Sequence, residues 1–223
     1  MKRKGIVIFV IALILISCTT TTKIAPTVVS ESATSITSNS SILHGRVNPN
    51  ELATLYHFEY GIYGISDYSF STEKESAGSG SEEIDVMSII SSLSPSTTYQ
   101  YRLVAENSVG ISYGEALTFT TVAVPPTVTT QSATHVTTST AQLNGTVNPN
   151  GLSTTYCFMW GMTTNYGNIT TNTSVGSGID TVSVNFSLTE LTSGVTYHYI
   201  IVATNSSGTN YGSDISFTTP IFH

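Results

Sequence analysis

"GRVNPNELATLYHFEYG", at Gly45–Gly61, returns a hundred residues later as "GTVNPNGLSTTYCFMWG", at Gly145–Gly161. The match extends along the chain, although the spacing falls from 100 to 98 between the third strand-like run and the fourth. Such a two-residue change is typical of a surface loop. Each copy has about 95 residues, which is close to the usual size of one independently folded core. The repeat therefore predicts two tandem domains of the same fold.

Within each copy, apolar and polar residues alternate over short runs that are separated by turn residues. This period of two predicts half-buried β-strands, and a series of such strands predicts two antiparallel sheets packed face to face. Asn-Pro-Asn, at residues 48–50 and 148–150, predicts the turn after the second strand. In the second copy the inward-facing positions include Leu143, Val147, Tyr156, Phe158, Trp160, Val184, Tyr197, Tyr199, Ile201 and Phe217.

The chain resembles the fibronectin type III family most closely at "LSPSTTYQYRLVAENSVG" (Leu93–Gly110) and "LTSGVTYHYIIVATNSSG" (Leu191–Gly208). In each stretch a Leu is followed six positions later by a Tyr that opens an alternating strand. The resemblance implies an all-β fold of two tandem seven-stranded immunoglobulin-like sandwiches, with Tyr99 and Tyr197 as tyrosine-corner residues. We expect domain 1 at residues 25–121, a linker at 122–125, domain 2 at 126–219 and a tail at 220–223.

One position departs from the family pattern. Fibronectin type III domains usually bury a Trp on the second strand, where this chain has Gly45 and Gly145. Large aromatic side chains dominate the burial of a small core. We therefore expect Tyr60 and Trp160, on the third strand, to fill that volume.

The N-terminus, "MKRKGIVIFVIALILISC", has a cationic start and an apolar run from Ile6 to Ile16 that is too short for a comfortable membrane span. Its end, Leu15-Ile16-Ser17-Cys18, resembles a prokaryotic lipobox. The resemblance implies a signal peptide at residues 1–17, a lipid on Cys18 and a polar tether at 18–24, hence a membrane-anchored lipoprotein of the cell envelope. An ordinary signal peptide and an uncleaved anchor are the alternatives.

The charge distribution argues against nucleic-acid binding. The formal net charge is −7, three of the seven basic residues are Lys2, Arg3 and Lys4, and no Lys or Arg follows Val122. Such a chain cannot neutralise several phosphates at once.

Residues capable of catalysis or metal binding are few and scattered. The five His have no partner at metal-ligand spacing, and no Gly-x-Ser-x-Gly motif is present. Cys157 fits a half-buried strand position, and Glu82, Glu83 and Asp85 fit a charged guard at a strand start. His198 is interpreted as solvated. We predict no enzymatic activity, no metal and no cofactor.

Aromatic, Gly-rich segments at residues 60–70 and 160–168 are candidates for a binding patch, in which Tyr63, Tyr68 and Tyr166 would contact a protein or a glycan. The alternative is that these tyrosines complete the core. The composition and motifs favour surface binding or adhesion to protein or carbohydrate. A passive spacer and an accessory module of a polysaccharide-degrading system remain as alternatives.

Overall fold

The computed structural model describes residues 22–65 and 68–221 and contains only β-strands within them. The predicted signal peptide and Cys18 lie outside the described residues. The strands of the first domain are β1 (Thr27–Thr34), β2 (Ser40–Asn48), β3 (Thr54–Ile62), β4 (Phe70–Ser71), β5 (Glu75–Gly78), β6 (Ile84–Ser91), β7 (Thr98–Glu106), β8 (Ile111–Tyr113) and β9 (Leu117–Thr120). Those of the second are β10 (Thr127–Thr134), β11 (Ala141–Asn148), β12 (Thr154–Gly161), β13 (Asn168–Ile169), β14 (Thr173–Gly176), β15 (Val182–Leu188), β16 (Thr196–Asn205), β17 (Gly208–Tyr211) and β18 (Ile215–Thr218).

Each domain is a sandwich of two antiparallel sheets. In the first domain the small sheet has the order β1-β2-β6, and the large sheet is built around the pair β3-β7. β4 and β5 both pair with β3, while β8 and β9 both pair with β7, so the nine segments are seven strands of which two are interrupted. The second domain repeats this order with β10 to β18. The predicted all-β class, with two tandem seven-stranded immunoglobulin-like sandwiches, is confirmed.

In most alternating runs the apolar residues face the core, and the polar residues between them face solvent. Along β2, buried and half-buried residues alternate without interruption from Ser40 to Asn48. One core is formed by residues between Leu43 and Phe119, and a separate one by residues between Ala141 and Ala203. Tyr101, Phe58 and Leu103 are fully buried in the first core, and Tyr199, Phe158 and Ile201 take the equivalent places in the second. Each domain therefore has its own apolar centre.

The repeated Asn-Pro-Asn motif forms the turn after the second strand and ties it to the start of the domain. The Asn48 side-chain oxygen accepts a hydrogen bond from the backbone N–H of Asn50 at 2.9 Å, and Asn50 has a φ of 52°. Asn tolerates this left-handed conformation better than most residues. The Asn50 side chain then donates to the Ala25 carbonyl at 2.7 Å. Asn148 and Asn150 make the same contacts in the second domain.

Close packing explains why residues 45 and 145 are glycines. A methyl group at Gly45 would lie 2.6 Å from Leu103 Cδ2 and 2.6 Å from the Val29 carbonyl oxygen, so any larger residue would overlap its neighbours. At Gly145 the corresponding neighbours are Ile201 and Thr129. The space beside these glycines is thus occupied by aliphatic side chains of the large sheet, not by Tyr60 and Trp160 as the sequence suggested.

The predicted linker, residues 122–125, is hydrogen-bonded to both domains. The Val122 N–H donates to the Thr37 carbonyl at 3.0 Å, within domain 1. The Val124 carbonyl accepts from the Asn205 side chain at 3.1 Å, and the Pro125 carbonyl accepts from the Asn150 side chain at 2.7 Å, both in domain 2. Ala123 is the residue between these two sets of bonds.

Candidate functional site

An aromatic and charged cluster lies on the outer face of the large sheet of domain 1. The Arg102 guanidinium carbon, on β7, is 4.5 Å from the centre of the Tyr68 ring and 4.3 Å from that of Tyr113 on β8. The negative faces of both rings attract the cation. The three side chains thus form a layered group that spans the loop after β3 and two strands.

Glu59 fixes the orientation of this arginine. It lies directly opposite Arg102 in the β3-β7 ladder, and its Oε2 atom is 2.8 Å from Arg102 Nε and 2.7 Å from Nη2. A paired, doubly hydrogen-bonded guanidinium has little rotational freedom. Tyr113 nevertheless keeps 53% of its surface exposed. The cluster therefore presents a preorganised aromatic surface whose charge is compensated.

Domain 2 has a different cluster, which includes His198, the counterpart of Gln100. The Tyr166 hydroxyl donates to Asp214 Oδ1 at 3.1 Å, and His198 Nδ1 lies 2.8 Å from Asp214 Oδ2. Burial, followed by the bond to Asp214, raises the pKa of Tyr166 above its ordinary value. His198 faces outward, as the sequence indicated, with 28% of its side chain exposed, and it also contacts this carboxylate.

The outer faces of the two domains differ in polarity. Glu59 and Arg102 of domain 1 are replaced by Met159 and Ile200 in domain 2, which are paired across β12 and β16. Ile200 is buried on this face, and Tyr211, the counterpart of Tyr113, is 64% exposed. The ion pair of Glu59 and Arg102 in the first domain is therefore replaced by an apolar pair in the second.

The structure separates the three tyrosines of the predicted patch. Tyr68 stacks on Arg102 and Tyr166 bonds to Asp214, whereas Tyr63 is 61% exposed at the start of the loop after β3. The sequence interpretation missed Arg102, Tyr113 and Tyr211. A signal was present in the repeated Tyr-Gly pairs at residues 113–114 and 211–212, which share the 98-residue spacing.

Tyr99 and Tyr197 are in the cores, away from these clusters. Both side chains are buried, and each stacks on a Phe, with ring centres 5.7 Å apart for Tyr99 and Phe119 and 5.6 Å apart for Tyr197 and Phe217. The Tyr99 hydroxyl accepts a hydrogen bond from the Ser94 N–H at 2.9 Å. Their surroundings are those of structural residues.

Reactive groups are sparse in the part of the chain that the structure describes. Cys157 is a free, half-buried thiol, and burial raises its pKa, which disfavours the nucleophilic thiolate. In residues 22–65 and 68–221, no three His, Cys, Asp or Glu side chains are placed to hold a metal ion. The same residues contain no helix that could span a membrane.

No protein-family model matches the chain, and no curated protein matches it. Several solved structures are similar at low identity. The FN1–FN3 domains of chicken CNTN1 are 15% identical, with a TM-score of 0.47, over 87% of this chain and 65% of that one. A two-domain fibronectin type III segment of chicken tenascin is 18% identical, with a TM-score of 0.37, over 86% and 97%. The sensor domain of the anti-sigma factor RsgI4 from Pseudobacteroides cellulosolvens is 20% identical, with a TM-score of 0.38, over 44% and 96%. These likenesses concern the fold alone, and function has to be argued from the site.

Proposed function

We propose that the chain is a non-catalytic, lipid-anchored protein exposed outside the cytoplasm, which binds a surface protein or a glycan through the outer faces of its two large sheets. The lipid on Cys18 would hold it in the cell envelope. The proposal for the anchor rests on the cationic, apolar and lipobox segments of residues 1–18.

The observation that carries the binding proposal is the pair of exposed tyrosines at equivalent positions, Tyr113 and Tyr211. Neither belongs to a core cluster, and both lie on short outer strands. Tyrosine offers a large contact area and a hydrogen-bonding hydroxyl at a low cost in conformational entropy. In domain 1 the guanidinium of Arg102 also holds Tyr113 in place, so less freedom is lost when a partner binds.

The arrangement of titratable groups supports binding over catalysis. In a hydrolytic triad the carboxylate orients a histidine whose other nitrogen activates a Ser, Thr or Cys. Here the Asp214 carboxylate lies between His198 and the hydroxyl of Tyr166, and each of the two bonds to a different oxygen. The bond to Asp214 Oδ1 ties the Tyr166 side chain to the residue before β18.

A glycan array and a pull-down from envelope extracts, both with residues 22–223, test the proposal. We expect a partner whose binding falls at least about tenfold in Tyr113→Ser or Tyr211→Ser. The variants Tyr63→Ser, Tyr68→Ser and Tyr166→Ser test whether the predicted patch also contacts the partner. Val29→Ser, an exposed change on the opposite sheet, is the control. A partner bound equally by all the variants would refute this surface, and the absence of any partner would favour the passive spacer.

A further inference from the structure

The edge of the small sheet in domain 1 is open along its whole length. β6 pairs with β2 from Ile84 to Ser91 without a register shift, and in the described residues its other edge has no backbone partner. An open groove of about 720 Å³ runs beside that edge, lined by Ser88 to Ser91 and by the segment Ser71–Glu75. The backbone groups of β6 are thus accessible to another strand.

The charged residues Glu82, Glu83 and Asp85 protect only the start of this edge, and the rest of it lacks the features that usually prevent a sheet from pairing. Natural edge strands carry Lys, Pro or a bulge. β6 has no Lys or Pro, whereas β1, at the other edge of the same sheet, has a register shift between Glu31 and Thr34. In the middle of β6 the outward residues are Met87 and Ile89, which are 60% and 72% exposed, and Ile42 lies directly opposite Ile89. The middle of the solvent-facing side of β6 is therefore apolar.

Domain 2 has the same open edge, but its solvent-facing side chains are polar. The counterparts of Met87 and Ile89 on β15 are Asn185 and Ser187, and their neighbours on β11 are Asn144 and Gln142. The backbone order is the same in both domains, so the difference is confined to side chains that face solvent. Apolar residues have no core role at these positions, and domain 2 serves as an internal comparison.

We infer that β6 pairs antiparallel with β6 of a second copy of this chain, so that two three-stranded sheets become one of six strands. With Ser88 on the two-fold axis, Met87 of each copy lies opposite Ile89 of the other, and Val86 lies opposite Ile90. Asp85, the one charged residue of β6, lies opposite Ser91, so no like charges meet. Shifting the register by two residues would place Asp85 opposite Ile89 or move Met87 out of contact with Ile89. The sequence of β6 is therefore complementary to itself, as a symmetric interface requires.

The proposed interface is small. Two strands of seven paired residues bury less than the roughly 1,200–2,000 Å² of a standard interface, so we expect a dimer that dissociates in the micromolar range. Sedimentation equilibrium of residues 22–223, which contain both cores complete, should show the mass doubling between about 1 and 500 µM. Ile89→Lys should weaken the dimer at least about tenfold, because it places an ammonium group at the apolar contact. Ser187→Lys, the matched change in domain 2, should leave it unchanged.

Cross-linking tests the register independently of affinity. In a Cys157→Ala background without residues 1–21, Ser88→Cys should give a disulfide-linked dimer under mild oxidation. Asp85→Cys should not, because its two copies would lie about 20 Å apart at about 3.4 Å per residue. A mixture of Asp85→Cys and Ser91→Cys chains should cross-link. A chain that stays monomeric up to the highest concentration, or a dimer lost in Ser187→Lys but kept in Ile89→Lys, would overturn the inference.

Discussion

The hydroxyl of Tyr197 accepts a hydrogen bond from the backbone N–H of Thr192 at 3.0 Å, five residues earlier in the chain. Tyr197 is buried against Trp160 and Phe217. We expect Tyr197→Phe to lower the free energy of unfolding of domain 2 by about 1–2 kcal/mol, because the Thr192 N–H loses its partner. Urea unfolding followed by fluorescence measures the change. Tyr211→Phe, at an exposed position, is the control, and an equal loss in both variants would show that the corner bond contributes nothing.

Gly45 offers a test of core packing. We expect Gly45→Ala to destabilise domain 1 by about 1–3 kcal/mol, because the new methyl group overlaps Leu103 and the Val29 carbonyl, and the backbone atom cannot rotate away. Gly80→Ala is the matched control, since a methyl group there comes no nearer than 4.0 Å to another residue. Calorimetry should show the first domain's transition moving to lower temperature in Gly45→Ala alone. No shift in either variant would contradict the packing described here.

Alkaline titration should show that the pKa of Tyr199 is raised. Burial disfavours its phenolate and raises the pKa of Tyr199 from its ordinary value of 10.0 to about 12. Because the folded-state pKa lies above the unfolded one, this group's contribution to stability is complete below pH 10 and is lost as the pH rises from 10 to 12. Absorbance at the phenolate band should therefore show a late component near pH 12 that is smaller in Tyr199→Phe. An unchanged late component would mean that Tyr199 ionises with the exposed tyrosines.

The proposed lipid anchor predicts a change of location. Cys18→Ala removes the thiol that would carry the lipid, so the protein should move from the membrane fraction to the soluble fraction. Ser17→Ala, which keeps the cysteine and a small residue before it, should remain with the membrane. Immunoblots of fractionated cells measure both. Retention of Cys18→Ala in the membrane would favour an uncleaved anchor.

The fold could be predicted because it depends on local alternation. The period of two along β11 and β16, and the Asn-Pro-Asn turns, identify inward residues such as Leu143 and Tyr199 without knowledge of their neighbours. The occupants of the space beside Gly45 could not be identified in this way. They depend on how the two sheets face each other, which brings Leu103 to a residue 58 positions earlier in the chain.

The candidate site was harder to predict for the same reason. Arg102 and Glu59 are 43 residues apart, and Tyr166 and Asp214 are 48 apart, so the register of paired strands decides whether they meet. The aromatic, Gly-rich segments contain Tyr68 and Tyr166, whose contacts with Arg102 and Asp214 the sequence pattern does not show. Their partners follow from the ladder of β3 with β7 and from the strand ends near β16, neither of which the sequence pattern specifies.

The bonds on either side of Ala123 bear on how the two domains would respond to tension. Val122 is tied to domain 1, and Val124 and Pro125 are tied to domain 2, so the connection contains little slack. Under a pulling force the junction would lengthen little until hydrogen bonds at the domain ends rupture. The junction would behave as a stiff mechanical coupling.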